Sequence, residues 1–463
     1  MKGREVSGKQ ITVVGAARSG IAVSRLLSES GADVFLTEFK EGTAEMKQRL
    51  EESGVNFEFG GHTPRALDAD FIVVSPGVPS NVPLLKSATE KGLAIYSEIE
   101  VAYWFCQAPI VAITGSNGKT TTTSLAAHVF SHAGGKVHVV GNIGKAFSEV
   151  TKNTSSNDVV VLEVSSFQLD HIDTFRPDVS VLLNITPDHL DRYDNQFEKY
   201  AASKFRIFEN QTSEDTLIYC YDDSFVRNKV VQFSPTHAAE DVATSDRVKT
   251  LGISQEQELR EGAFLRGSEL VIRFKQEEEI LMRKEELALQ GPHNVYNSLA
   301  AAVAARVMEI PSLFVRESLS SFEGVAHRLE EVRTLNGVRY INDSKATNVN
   351  AVWYALESFK EDIILIAGGR DKGNDYASLK PLVSRNVRMV IAIGESAEKV
   401  DKELGVLAKQ HMIMDSLEEA VQAAHLLARS GEVVLLSPAC ASFDMFTNYE
   451  ERGEVFKAAV MNL

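Results

Sequence analysis

The sequence of 463 residues has little cysteine: only Cys106, Cys220 and Cys440. An odd number at such wide spacing supports neither a disulfide framework nor a zinc site. No apolar run approaches the roughly 18 residues of a membrane helix. The strongest runs, Ile363 to Ala367 and Val433 to Leu436, have the length of buried strands. The opening MKGREVSGKQ lacks the apolar stretch of a secretory signal. With 30 Gly and 12 Pro, neither collagen nor a low-complexity disordered chain is credible. A basic excess is missing too: 48 Lys and Arg stand against 64 Asp and Glu, a net charge of −16. That argues against general nucleic-acid binding, which needs a basic footprint. It leaves room for a small anionic ligand, because local backbone donors can hold one against the net charge. These absences predict a cytoplasmic protein with no membrane span and no nucleic-acid partner.

What is present is an ordinary globular composition, 44% apolar and 24% charged. At roughly 150 residues per domain the length predicts about three domains. Short β-rich apolar runs, Gly-containing turns and helical patterns recur. Ile11 to Val14, Gly15 and the helix-like Ile21 to Ser28 form the first such unit, followed by strands at Asp33 to Thr37 and Phe71 to Ser75. A second block opens at Pro109 and carries strands Ile110 to Ile113, Val159 to Glu163 and Val179 to Asn184. Residues 210–289 read as a charged, peripheral β-rich section of the same domain, and a helix from Asn294 to Met308 returns to its core. A third block, with strands Arg339 to Ile341, Ile363 to Ala367, Met389 to Ile393 and Val433 to Leu436, opens near Arg328. The alternation predicts an α/β protein of three domains, 1–107, 108–323 and 324–463, each on a mainly parallel sheet.

The strongest local signal is Ile113-Thr114-Gly115-Ser116-Asn117-Gly118-Lys119-Thr120-Thr121, entered by a strand and left by a helix. Gly115 and Gly118 let backbone N–H groups curl around phosphate oxygens, and the helix adds its positive N-terminal end. Lys119 can reach the β- and γ-phosphates of ATP, and Thr120 can offer its hydroxyl to Mg²⁺. The general phosphate-loop pattern needs a glycine where Ile113 stands, so the spacing is a shorter variant. A plain strand-to-helix turn with a surface lysine is the bland alternative. Glu163, at the C-terminal end of a buried strand, sits where open parallel sheets bind ligands and can hold Mg²⁺. His189, in the polar cluster Asp188-His189-Leu190-Asp191-Arg192, can ligate a metal or position a substrate oxygen; an ordinary loop histidine is equally compatible. Lys204 lies on a helix, and from chemistry alone it reads as a surface lysine.

Together these stretches, and the C-terminal Leu436-Ser-Pro-Ala-Cys-Ala-Ser442-Phe-Asp-Met-Phe-Thr-Asn-Tyr449-Glu-Glu-Arg-Gly, resemble the Mur ligases. The Lys119 loop and the Glu163 strand are shared with folylpolyglutamate synthases. The C-terminal stretch is specific and looks like the branch that adds D-glutamate. The resemblance implies a Rossmann-like N-terminal domain for a UDP-sugar and a P-loop ATPase-like central domain for ATP. It implies a Rossmann-like C-terminal domain for D-glutamate and part of the nucleotide, closing onto the central one. The implied reaction is ATP-dependent addition of D-glutamate to UDP-N-acetylmuramoyl-L-alanine through an acyl phosphate, in peptidoglycan precursor synthesis. A monomer with two Mg²⁺ ions is expected.

Residue by residue, the resemblance assigns Lys119, Glu163, His189, Lys204 and Lys345 to catalysis. Lys204 becomes a carbamate that, with Thr120, Glu163 and His189, holds metal. ATP falls to Gly115 to Thr121, with Asn294, Asn297, Arg328 and Asp343. D-glutamate falls to Thr347, Lys372, Ser442 and Tyr449, the last mainly through backbone. The UDP-sugar falls to Arg18, Ser19, Glu38, Gly77, Asn142 and His189. Gly15-Ala-Ala-Arg-Ser-Gly20 has Ala17 where a dinucleotide fingerprint needs glycine, which speaks against a nicotinamide-dependent oxidoreductase. Another Mur ligase, a folylpolyglutamate synthase and a non-ligase nucleotide-binding protein remain as alternatives.

Overall fold

The computed structural model describes residues 3–232, 248–274, 277–371 and 373–463. Among them the strands form three sheets of five, nine and six strands. The first contains β1 (Gln10–Val14), β2 (Asp33–Glu38), β3 (Asn56–Phe59), β4 (Phe71–Val74) and β5 (Ala94–Ser97). All pair in parallel, in the order β3-β2-β1-β4-β5.

The second sheet contains β6 (Ile110–Thr114), β7 (Lys136–Gly141), β8 (Asp158–Glu163), β9 (Val179–Leu182), β10 (Thr216–Cys220), β11 (Lys249–Ser254), β12 (Gly262–Arg266), β13 (Glu269–Phe274) and β14 (Glu277–Arg283). Its order is β14-β13-β12-β11-β10-β9-β6-β8-β7. Every residue of β6 is buried, as a central parallel strand covered on both faces requires. The charged region expected to be peripheral therefore continues the central sheet. It is parallel as far as β12 and then turns antiparallel through β13 and β14.

The third sheet contains β15 (Glu330–Leu335), β16 (Val338–Asn342), β17 (Ile363–Gly368), β18 (Val387–Ile393), β19 (Gln410–Met414) and β20 (Val433–Leu436), in the order β15-β16-β20-β17-β18-β19. Only the edge strand β15 is antiparallel. The fold is α/β on three mostly parallel sheets. The chain divides into two compact units, Met1–Phe322 with the first two sheets and Glu323–Leu463 with the third. No described helix is long and apolar enough to cross a membrane.

Candidate active site

The loop after β6 has the geometry that its glycines demand. Gly115 and Gly118 take φ of 153° and 87°, backbone that side chains rarely adopt. A Cβ on Gly118 would lie 2.4 Å from Asn297 Oδ1. The helix Lys119–His132 starts here, so its first N–H groups and its positive end converge on the loop. Lys119 Nζ donates to the carbonyls of Gly115 (2.8 Å) and Ser116 (2.9 Å). Two residues that sequence reasoning missed brace the loop. Asn184 accepts from the Asn117 N–H (2.9 Å) and donates back to its carbonyl (3.0 Å). The hydroxyls of Tyr200 and Ser116 lie 2.9 Å apart. Tyr200 stands four residues before Lys204 on one helix face, so spacing was the available signal. Thr120 and Thr121 are both buried at the start of the helix.

Glu163, the last residue of β8, is 1% exposed. Its Oε1 accepts from Asn142 Nδ2 at 2.8 Å, whereas Oε2 is buried with no partner among the described residues. A buried carboxylate oxygen left bare is costly unless a cation or donor completes it. Oxygen donors of this kind suit Mg²⁺, which keeps waters and substrate phosphates as its other ligands. Among the described residues no three His, Cys, Asp or Glu converge as a metal cluster. His189 starts a short helical turn in the left-handed region, at φ 51°, with its ring edge-on to Phe167 at 5.2 Å.

The surface reading of Lys204 is overturned. Its side chain is 2% exposed, because the helix Phe197–Phe205 turns this face onto the phosphate loop. Nζ donates to the Gly115 carbonyl at 2.8 Å and lies 4.8 Å from the Tyr200 ring centre. Burial, then the nearby Lys119 cation, pushes its pKa well below the ordinary lysine value. That favours a neutral, nucleophilic amine.

Asn294 and Asn297 share a face of the helix Pro292–Val307, Asn297 Nδ2 donating to Asn294 Oδ1 at 3.1 Å. Asn297 Oδ1 also accepts from Thr122 of the phosphate-loop helix at 3.2 Å. In the second unit, Asp343 follows β16 and is 4% exposed. It accepts from Ser437 Oγ (2.8 Å) and the Leu329 N–H (3.3 Å). Burial pushes its carboxyl up to about 7, against the pull of Arg328. Arg328 keeps a buried Nε with no partner among the described residues. Lys345 Nζ donates to the Tyr449 hydroxyl at 3.1 Å. Tyr449 is thus engaged through both its backbone and its side chain. Its carbonyl accepts from Ser344 Oγ at 2.8 Å, but its hydroxyl also holds Lys345. Thr347 is half-buried beside Lys345, its N–H donating to the Lys345 carbonyl at 2.9 Å. Ser442 is 2% exposed. Lys372 lies outside the described residues. Sequence reasoning also missed Arg452, 1% exposed, whose guanidinium joins Ser344 (2.8 Å to O) to the Cys440 carbonyl (3.2 Å).

Around the first sheet, Glu38 accepts from the backbone N–H of Ala16 (2.8 Å) and Lys40 (2.9 Å). It thereby pins the glycine turn, and Ser19 is buried in the helix that follows. A Cβ on Gly20 would lie 1.8 Å from the Gly15 carbonyl oxygen, so that glycine serves close helix–strand packing. Arg18 donates to the carbonyls of Gly144 and Gly141, the latter at 3.2 Å. Gly77 is exposed in the turn after β4.

Comparison with known proteins fits this arrangement. The Mur ligase middle domain matches residues 113–305, the Mur ligase glutamate ligase domain 327–440 and the MurD N-terminal domain 10–82. The chain belongs to the Mur ligase family. It is 57% identical to the UDP-N-acetylmuramoylalanine–D-glutamate ligase of Salinibacter ruber, over 99% of both chains. It is 48% identical to the enzyme of that name from Chloroherpeton thalassium, over 100% of both. Among solved structures, the UDP-N-acetylmuramate-alanine ligase of Thermotoga maritima shares the fold at TM-score 0.60 and 20% identity, covering 98% of this chain and 99% of its own.

Proposed function

We propose that this protein is an ATP-dependent ligase that joins D-glutamate to UDP-N-acetylmuramoyl-L-alanine, in the cytoplasm, as a monomer. The observation that carries the reading is full-length identity of 57% to a ligase of that name. The braced phosphate loop, the unpartnered Oε2 of Glu163 and buried Lys204 supply the matching chemistry. The first sheet is assigned to the UDP-sugar, with Arg18, Ser19, Glu38, Gly77 and Asn142. The second sheet is assigned to ATP, with the 115–121 loop, Asn294 and Asn297. The second unit is assigned Arg328 and Asp343 for the nucleotide, and Thr347, Lys372, Ser442 and Tyr449 for D-glutamate.

The carboxylate of the L-alanine attacks the γ-phosphorus of ATP in line. The γ-phosphorus–oxygen bond to ADP breaks, and an acyl phosphate forms. The amine of D-glutamate then attacks the acyl carbon. The tetrahedral intermediate expels phosphate, the amine gives up its proton, and the amide remains. Two anions must first approach, and at 4 Å their repulsion is about 4 kcal/mol at an effective dielectric of 20. Lys119 and Lys345 offset that repulsion, and His189 helps to align the reactants. Thr120, Glu163, His189 and a carbamate on Lys204 would hold Mg²⁺, which when bound neutralises phosphate charge. A neutral buried amine is the form of Lys204 that captures CO₂.

A phosphate-release assay with ATP, UDP-N-acetylmuramoyl-L-alanine and, in turn, D-glutamate, L-glutamate, L-lysine and diaminopimelate tests the reading. D-glutamate should support turnover, and Lys119→Ala should abolish it. Turnover only with another amino acid would overturn the assignment.

A further inference from the structure

We infer that Arg192 is a positioning residue for the UDP-linked precursor, acting by clamping the turn of the first sheet against which that precursor lies. The inference rests on the proposed function and deepens it. The turn is Ser75-Pro76-Gly77-Val78, closed by the Val78 N–H on the Ser75 carbonyl at 3.0 Å. Pro76 suits its second position. Gly77 is the informative residue. Its φ lies outside the left-handed region, and a Cβ there would meet no atom within 4 Å. Neither backbone conformation nor packing within the protein calls for glycine. Exposed and with open space around it, Gly77 leaves its backbone accessible to the close approach of a ligand.

Arg192 comes from the segment after β9, on the second sheet. Its Nη2 donates to the carbonyls of Val78 (2.9 Å) and Pro76 (3.4 Å), one on each side of Gly77. One side chain thus fixes both flanks of the exposed residue. The guanidinium is itself held, lying 4.3 Å from the Phe167 ring centre. Phe167 in turn stacks on Tyr193 (6.0 Å) and meets His189 edge-on (5.2 Å). Tyr193 is anchored by its hydroxyl on Asp170 at 3.0 Å. The grip is reciprocal. Arg18, from the first sheet's helix, holds the Gly141 and Gly144 carbonyls on either side of Asn142. Each sheet's ligand-facing turn is set by an arginine from the other, within one compact unit. Arg192 also shares Phe167 with His189, so the same contact that shapes the turn keeps His189 in register with it.

The test is steady-state phosphate release by the full chain with each substrate varied in turn. Arg192→Met keeps the packing on Phe167 and removes the donors. It should raise KM for UDP-N-acetylmuramoyl-L-alanine about tenfold, with KM for ATP and D-glutamate within about twofold. Arg192→Lys should recover most of the loss, because an ammonium can still donate to both carbonyls. Gly77→Ala should raise the same KM without lowering the unfolding temperature, and this variant serves if Arg192→Met fails to fold. An unchanged precursor KM in both variants, or an equal rise for all three substrates, would overturn the inference. No D-glutamate-dependent turnover in the unsubstituted protein would instead sink the functional reading and this inference with it.

Discussion

Replacing Asp343 by Asn should change the pH dependence of the second unit's stability in a calculable way. Asp343 is buried at the end of β16, and its carboxyl is raised from 3.8 to about 7, chiefly by loss of solvation. Between those values the folded protein binds a proton that the unfolded chain has released. Stability therefore falls as pH rises from about 4 to about 7 and is flat above that. The gap, at about 1.36 kcal/mol per pH unit, corresponds to about 4 kcal/mol. Asn resembles the protonated acid and does not titrate. Its carbonyl can accept from Leu329, and its amide can donate to Ser437. The variant should match the parent at about pH 3, already exceed it by about 1–2 kcal/mol at about pH 5, and exceed it by about 4 kcal/mol at about pH 8. Global unfolding would mix two compact units. Hydrogen exchange read on peptides covering Val338–Asn342 and Val433–Leu436 isolates the right one. Equal protection of parent and variant at all three pH values, or a gain confined to low pH, would refute the argument. The stabilised variant should bind nucleotide more weakly, the usual conflict between a strained site and stability.

Three further outcomes are expected. Lys204→Ala should lose activity and recover part of it when a short carboxylate such as formate is added; full activity with no addition would remove the carbamate role. Glu163→Gln keeps the acceptor for Asn142 and removes the charge, so the Mg²⁺ concentration for half-maximal activity should rise about tenfold or more in a metal titration. An unchanged titration curve would mean that the bare Oε2 serves another purpose. Gly118→Ala places a Cβ 2.4 Å from Asn297 Oδ1 at a φ of 87°. It should cost about 1–2 kcal/mol in thermal unfolding and weaken ATP binding, and parental values of both would contradict the backbone argument.

Strongly local features are legible in the sequence. The strand, glycine turn and helix around Lys119 form one contiguous segment, and Glu163 ends a β-rich apolar run with the length of a buried strand. The strands from residue 210 to 289 are legible as β structure but not as half of the central sheet. Their charged, alternating character describes exposed faces, while their place beside β9 depends on pairing over long sequence distances. Edge strands such as β3 and β19 have few buried residues and so little periodicity.

The sequence by itself determined the main buried strands, the glycine positions of the phosphate loop and, through resemblance, the family. These follow from periodicity and from backbone chemistry that acts within a few residues. Only the tertiary structure decided what the charged side chains experience. Lys204 reads as a solvated helix lysine until the fold presses it onto the Gly115 carbonyl. Asp343 becomes a weak acid only because β16 and β20 bury it. Arg18 and Arg192 become clamps only because two sheets pack as one unit. Desolvation and hydrogen bonding depend on what surrounds a group in three dimensions, and one-dimensional spacing carries no record of that.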